Sequence, residues 1–306
     1  MRKPESANSE PAGTDSTKSP RERRGFRLRW PSRPDLPLRK RKAPPPRTPS
    51  WIDLEGLANM RDLGGTPAAG GVVRPGRLLR SDNLQDLTPD DVARLEKLGL
   101  TDVIDLRSAF EVFHEGPTPV SDLDWVGYHN YSFMKEFHGE EIPEANEDLP
   151  GKAVPWQHQD FSVQVSDPVT SSYLSFLADR PDSVLRALRT IASAKGAALV
   201  HCAAGKDRTG TAVALALTVA GVPRSEIVAD YVATSERIGA VIARLRGGKS
   251  YDELAEDVSV YRARPEVMEG FFDYLDAEFG GALVLLERLG WTEEDTAALS
   301  SKLLDE

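Results

Sequence analysis

An apolar run, Ala197-Ala-Leu-Val-His201, leads through Cys202-Ala-Ala-Gly-Lys-Asp-Arg208 into a second apolar run from Thr209 to Ala220. The first run predicts a buried strand. The second predicts a helix, ended by Gly221-Val-Pro223. A compact loop between a strand and a helix turns successive backbone N–H groups inward and aims the helix N-terminus at the same point, which makes a cradle for an anion.

The rest of the chain repeats the alternation. Val103-Ile-Asp-Leu106 reads as a buried strand with Arg107 at its end, and Val72-Val73 and Leu78-Leu79 as short strands around the Pro75-Gly76 turn. Thr88-Pro-Asp-Asp91 opens a helix with a capping-box pattern, continued by Val92, Leu95 and Leu98 and stopped by Gly99. Ser171 to Ala194 predicts an amphipathic helix with a break at Pro181, and further helices are expected over 225–246, 265–278, 280–289 and 293–304. The expectation is an α/β fold, a central mostly parallel sheet flanked by helices. In such sheets ligands bind beyond the carboxyl ends of the strands. Cys202 and Arg107 both belong there.

Each residue type of the loop has a use around a phosphate. Cys202 at its start meets backbone donors, a helix N-terminus and an Arg, which favour the thiolate nucleophile. The planar fork of Arg208 suits two phosphoryl oxygens. Gly205 permits a tight curl. Lys206 adds a cation, Thr209 a hydroxyl near the sulfur, and the backbone of Ala203 and Ala204 completes the cradle. Gly210 permits close helix packing. The alternative is a buried Cys on a Gly-rich turn. An ATP-binding loop is excluded because Lys206 is followed by Asp207 rather than Ser or Thr. A zinc site lacks a second Cys and a nearby spaced His pair, so no metal is expected.

Charge is unevenly spread. The net charge is −10, yet residues 1–50 hold 14 Lys and Arg against 5 Asp and Glu, so residues 51–306 sit near −19. An acidic body is a poor nucleic-acid binder. The segment 1–50 is rich in Pro, Ser and basic residues and reads as a disordered tail. Its cluster Arg39–Lys42 suits either a solvated face or contact with an anionic membrane surface. Residues 134–165 lack periodicity and read as an insertion in the 51–306 domain. A single cysteine rules out an intrachain disulfide, and no apolar stretch is long enough to span a bilayer. The expected location is cytoplasmic.

The loop His201-Cys-Ala-Ala-Gly-Lys-Asp-Arg-Thr-Gly210 resembles that of the cysteine phosphatases, in particular the atypical bacterial and fungal tyrosine phosphatases. Asn59-Met-Arg-Asp-Leu-Gly-Gly65, Gly76-Arg-Leu-Leu-Arg-Ser81, Val103-Ile-Asp-Leu-Arg-Ser108 and Asp230-Tyr231 are similar to further elements of that group. The resemblance implies a dual-specificity-phosphatase-like fold, a nucleophilic Cys202, a phosphate-binding Arg208, and a Lys206 that broadens substrate range. It implies no cofactor. The substrate would be a phosphotyrosine protein or a phosphoinositide. A non-catalytic phosphate-binding module is the alternative from another class.

Tyrosine leaves poorly as an anion, so its oxygen needs a proton donor. No Trp-Pro-Asp loop is present to supply one. Asp207 is the first candidate and Asp105 the second. Either could instead be a structural carboxylate that holds an Arg. Arg61 and Asp62 are expected to knit the N-terminal turn to the sheet.

Overall fold

The sheet order places the strand before the cysteine loop at its centre. In a computed structural model that describes residues 28–34, 36, 48–135, 161–248, 250, 251 and 254–304, the strands are β1 (Ser50–Trp51), β2 (Arg61–Asp62), β3 (Pro67–Ala68), β4 (Gly71–Val72), β5 (Leu78–Ser81), β6 (Leu100–Asp105), β7 (Gly127–Asn130) and β8 (Ala197–His201). The main sheet runs β1-β2-β5-β8-β6-β7, and β3 and β4 form a separate ribbon. β5, β8, β6 and β7 are mutually parallel, whereas β1 and β2 are antiparallel additions at one edge. β8 lies between β5 and β6, so the loop after it opens at the carboxyl ends of three neighbouring strands.

The helices are α1 (Pro89–Lys97), α2 (Ala109–Glu115), α3 (Pro168–Asp179), α4 (Pro181–Ser193), α5 (Asp207–Val219), α6 (Arg224–Leu245), α7 (Pro265–Phe279), α8 (Ala282–Leu289) and α9 (Glu293–Leu303). The capping box predicted at Thr88 is formed, with Thr88 accepting from the Asp91 N–H and Asp91 returning to the Thr88 N–H. The predicted helix over 171–194 is two helices. Pro181 cannot donate to the turn before it, and Arg180 breaks the spiral at φ −130°. α2 was not foreseen.

Alternation along β8 divides the core. Ala198 and Val200 face the helical layer of α3, α4, α5, α7, α8 and α9. Ala197 and Leu199 face the opposite side, with Leu54, Leu84 and Leu95. α5 lies inside this packing, with every residue but Thr218 buried. A Cβ on Gly210 would come within 3.1 Å of the Tyr231 ring, so this glycine sets the approach of α5 to α6.

The tail reading needs correction. Residues 28–34 and 36 lie against the body because Trp30 brings an apolar ring to it. Trp30 packs edge-on against Phe279 at 5.0 Å, Arg33 pairs with Glu278 at 2.6 Å, and the Tyr274 hydroxyl donates to the Pro31 carbonyl. The cluster Arg39–Lys42 lies outside the described residues. So does most of the expected insertion, residues 136–160. Its last residues belong to the body, since Val163 and Val165 are buried in the core. No described helix is long and apolar enough to cross a membrane.

Asp62 ties its turn as expected, accepting from the N–H groups of Gly64 and Gly76. Arg61 reaches further, to Asp230 on α6 at 2.8 Å.

Candidate active site

The loop from Cys202 to Lys206 is held by its carbonyl oxygens. The Cys202 carbonyl meets His201 Nδ1 at 3.2 Å, and the Ala203 carbonyl accepts from the Asn83 N–H at 2.9 Å. Asn59 Nδ2 donates to the carbonyls of Ala204 and Gly205, and Arg80 Nη2 donates to that of Gly205 at 2.6 Å. Four successive carbonyls are therefore anchored from outside. No peptide among the described residues is cis, so each following N–H points the opposite way from the carbonyl it shares a plane with. The N–H groups of Ala203 to Lys206 thus turn to the inner side of the curl, beside the first turn of α5.

Gly205 makes the curl close. Its φ is +65°, and a Cβ there would sit 2.3 Å from the Ser81 carbonyl oxygen. Arg80 is itself held by Asp230, which also takes Arg61. Burial opposes charge on Asp230, and the two guanidiniums keep it below the usual carboxylate range.

Cys202 is a free thiol with 2% of its surface exposed. Arg208 stands in the first turn of α5, one residue after Asp207. Both its terminal nitrogens donate to Glu111 of α2, Nη2 at 2.8 Å. Its Nε is buried without a hydrogen-bond partner, as is Thr209 Oγ1. Lys206 Nζ donates to the Tyr261 carbonyl and lies 3.7 Å from Asp207 Oδ1. The loop thus gathers Cys202, Lys206, Asp207, Arg208 and Thr209 within a single strand–helix junction.

The curl starts at Cys202 and ends at the first turn of α5, where Arg208 stands, and residues 52–305 match the profile of the tyrosine phosphatase family. The chain belongs to that family. A triple specificity protein phosphatase, PtpB, of Mycobacterium tuberculosis is 33% identical over 204 residues, covering 63% of this chain and 72% of the relative. A tyrosine-protein phosphatase of Nostoc commune is 29% identical over 241 residues, covering 74% and 73%. This tyrosine phosphatase is accordingly a phosphomonoester hydrolase of the protein-tyrosine or dual-specificity kind.

Asp105 has both carboxyl oxygens engaged by neighbours. Its Oδ1 accepts from the Arg107 N–H and Nε, and its Oδ2 from Arg107 Nη2 and the Tyr128 hydroxyl. It is fully buried. Burial opposes its charge, but neighbouring His201 and Arg107 hold the carboxyl far below the usual range. Arg107 in turn donates to Gln85. The pair braces the end of β6.

Glu111 was missed by sequence reasoning. It is the third residue of α2 and forms a capping box with Ser108. The Ser108-x-x-Glu111 pattern could have revealed it. Burial works against its charge, and Arg208, the Ser108 N–H and the Tyr251 hydroxyl hold it ionised below the usual carboxylate range. Tyr251 brings a cover with it. Together with Tyr261 it packs against Ala203, and Leu254 and Val258 join the same cluster. Cys202, Lys206, Asp207 and Arg208 are all at most 5% exposed.

Proposed function

We propose that Cys202 is the nucleophile of this phosphatase, Arg208 the phosphate clamp and Asp207 the proton donor. The observation that carries this reading is the outward anchoring of four loop carbonyls, which turns the amides beside the sulfur to one centre. Those amides suit the equatorial oxygens of a phosphoryl group in flight. Arg208 Nε, buried and unpartnered, adds a charged donor, while Glu111 fixes the plane of the guanidinium.

In the first step the Cys202 thiolate forms an S–P bond as the P–O bond to the leaving group breaks, and Asp207 gives its proton to the departing oxygen. In the second, water attacks phosphorus and yields a proton to Asp207 as the S–P bond breaks. Thr209 Oγ1, with no partner of its own, donates to the returning sulfur charge. Asp105 and Arg107 support the sheet end rather than move protons. Ala203, Ala204, Gly205 and Lys206 bind phosphate through their N–H groups.

The substrate reading is phosphotyrosine on protein. A phosphoinositide is the second reading, favoured by Lys206, whose ammonium beside the loop suits a further anionic group on the same molecule. Contact of the basic tail with an anionic membrane would accompany that second reading.

The test is turnover of p-nitrophenyl phosphate without added metal, followed by phosphopeptides and phosphoinositides side by side. Cys202→Ser should bind phosphorylated substrate and not turn it over. Asp207→Asn should slow aryl phosphates with poor leaving groups more than those with good ones. Equal losses across the series would reject Asp207 as the donor.

A further inference from the structure

Asp207 does not stand alone. Tyr173 of α3 donates its hydroxyl to Asp207 Oδ1 at 2.5 Å, and the hydroxyls of Tyr173 and Tyr231 lie 2.8 Å apart. Both phenols are buried, Tyr173 at 0% and Tyr231 at 1% exposed. Three elements, α3, α5 and α6, thus converge on one carboxyl. Lys206 Nζ lies 3.7 Å from the same oxygen, Oδ1. Nothing in the chemistry of the core requires two tyrosines here. Phe would fill the same space without a buried hydroxyl that has to be satisfied.

We propose that the hydroxyl chain from Tyr231 through Tyr173 positions Asp207 so that its transferable proton rides on Oδ2, facing the leaving group, and not on Oδ1. This deepens the reading of Asp207 as proton donor and rests on it.

The direction of the chain follows from counting protons. Each phenol has one to give. If Tyr173 gives its own to Asp207 Oδ1, it accepts from Tyr231, and every donor is used. The opposite arrangement puts the carboxyl proton on Oδ1, donated to Tyr173, which then donates to Tyr231. The Tyr231 proton would then need another acceptor, and among the described residues its hydroxyl meets only that of Tyr173. A buried hydroxyl proton left without an acceptor forfeits its hydration with nothing in return. The chain therefore selects the state with Oδ1 as acceptor and Oδ2 as carrier. Burial and the neighbouring Asp207 carboxylate keep Tyr173 protonated, and burial does the same for Tyr231, so both remain donors at neutral pH.

A donor fixed in this way matters in proportion to how much proton transfer the leaving group needs. Removing the Tyr173 hydroxyl frees the carboxyl to rotate and to carry its proton on either oxygen. The loss should therefore fall on kcat for poor leaving groups, with phosphate binding intact. A residue that merely packs the core would lower all substrates together.

The experiment measures kcat and KM over a series of aryl phosphates of rising phenol pKa for the wild type, Tyr173→Phe, Asp207→Asn and the double variant. Tyr173→Phe is expected to lower kcat by about tenfold for phenyl phosphate and by less than about threefold for p-nitrophenyl phosphate, with KM little changed. In the Asp207→Asn background the same change should add no further dependence on the leaving group. Tyr231→Phe should act in the same direction, more weakly, and serves if Tyr173→Phe folds poorly. An equal loss across the series, or an additional slope in the double variant, overturns the inference. If Asp207→Asn shows the slope and both tyrosine variants do not, the positioning role falls while the donor stands. If Asp207→Asn shows no slope, both fall.

Discussion

Glu111 holds both terminal nitrogens of Arg208 and leaves Nε unpaired. A buried carboxylate thus fixes the guanidinium plane, and in the role proposed for Arg208 the unpaired edge is the one left to meet a phosphate. Replacing Glu111 with Gln keeps the size and one acceptor oxygen but removes the charge. We expect kcat/KM to fall by roughly 10- to 100-fold, or about 1.4–2.7 kcal/mol, and orthovanadate affinity to fall with it. Unchanged vanadate binding in Glu111→Gln would show that Arg208 needs no such brace.

Gly205 tolerates no side chain. Its φ of +65° disfavours any other residue, and the Ser81 carbonyl lies 2.3 Å from where a Cβ would stand. Gly205→Ala should abolish oxyanion binding and lower the unfolding midpoint. A variant that still bound vanadate at wild-type strength would contradict the curl described for the loop.

Acidification should destabilise the fold in a definite direction. Asp105, Glu111 and Asp230 all titrate below their ordinary values, 3.8 for Asp and 4.5 for Glu, because neighbouring cations (His201 and Arg107 for Asp105, guanidiniums for the other two) outweigh the cost of burial. A depressed carboxyl contributes stability that is fully present above its unfolded value and is lost as pH falls toward its folded one. Urea midpoints measured from about pH 6 down to about pH 3 should therefore decline steeply at the low end. The decline should be shallower in Glu111→Gln, which has one such group fewer.

Trp30 joins the N-terminal segment to α7 through Phe279. Trp30→Ala should lower stability by about 1–3 kcal/mol and leave kcat on p-nitrophenyl phosphate unchanged. Loss of activity with stability unchanged would point to a role for this segment at the site.

Cys202 is 2% exposed, and Tyr251 and Tyr261 share a packed cluster with its neighbour Ala203. Iodoacetate should therefore modify it slowly, and Tyr261→Ala should speed the modification several-fold, as read by intact-mass spectrometry. Equal rates in the two proteins would mean that this cover does not control access.

The reach of the sequence followed physical range. β8, the loop and α5 were legible because a short apolar strand, a glycine and an apolar helix are all local signals. The capping box at Thr88 was legible for the same reason. Glu111 sits on a helix of seven residues, too short for periodicity to show, although its Ser-x-x-Glu box was in plain view. Tyr173 could not be picked out. On an apolar helix its ring looks like any core aromatic, and only its distance to Asp207 gives the hydroxyl a task. The docking of residues 28–34 and 36 was hidden because a lone Trp among Arg and Pro has no pattern to read. The partners of Asp105 were hidden as well, because a strand end says nothing of which carboxyl oxygens are already taken.

The anchors of the phosphate cup come from distant stretches of chain. Asn59 and Arg80 reach it across 146 and 125 residues of sequence to hold the same Gly205 carbonyl. No fragment short of the whole sheet can assemble such a receptor, so occupancy by an oxyanion is a property of the native state alone. By mass action, an inhibitor present at 100 times its dissociation constant should then raise the unfolding free energy by about 2.7 kcal/mol. A melting curve in the presence of vanadate becomes a binding assay that needs no substrate, and it would work equally well on variants that have lost all turnover.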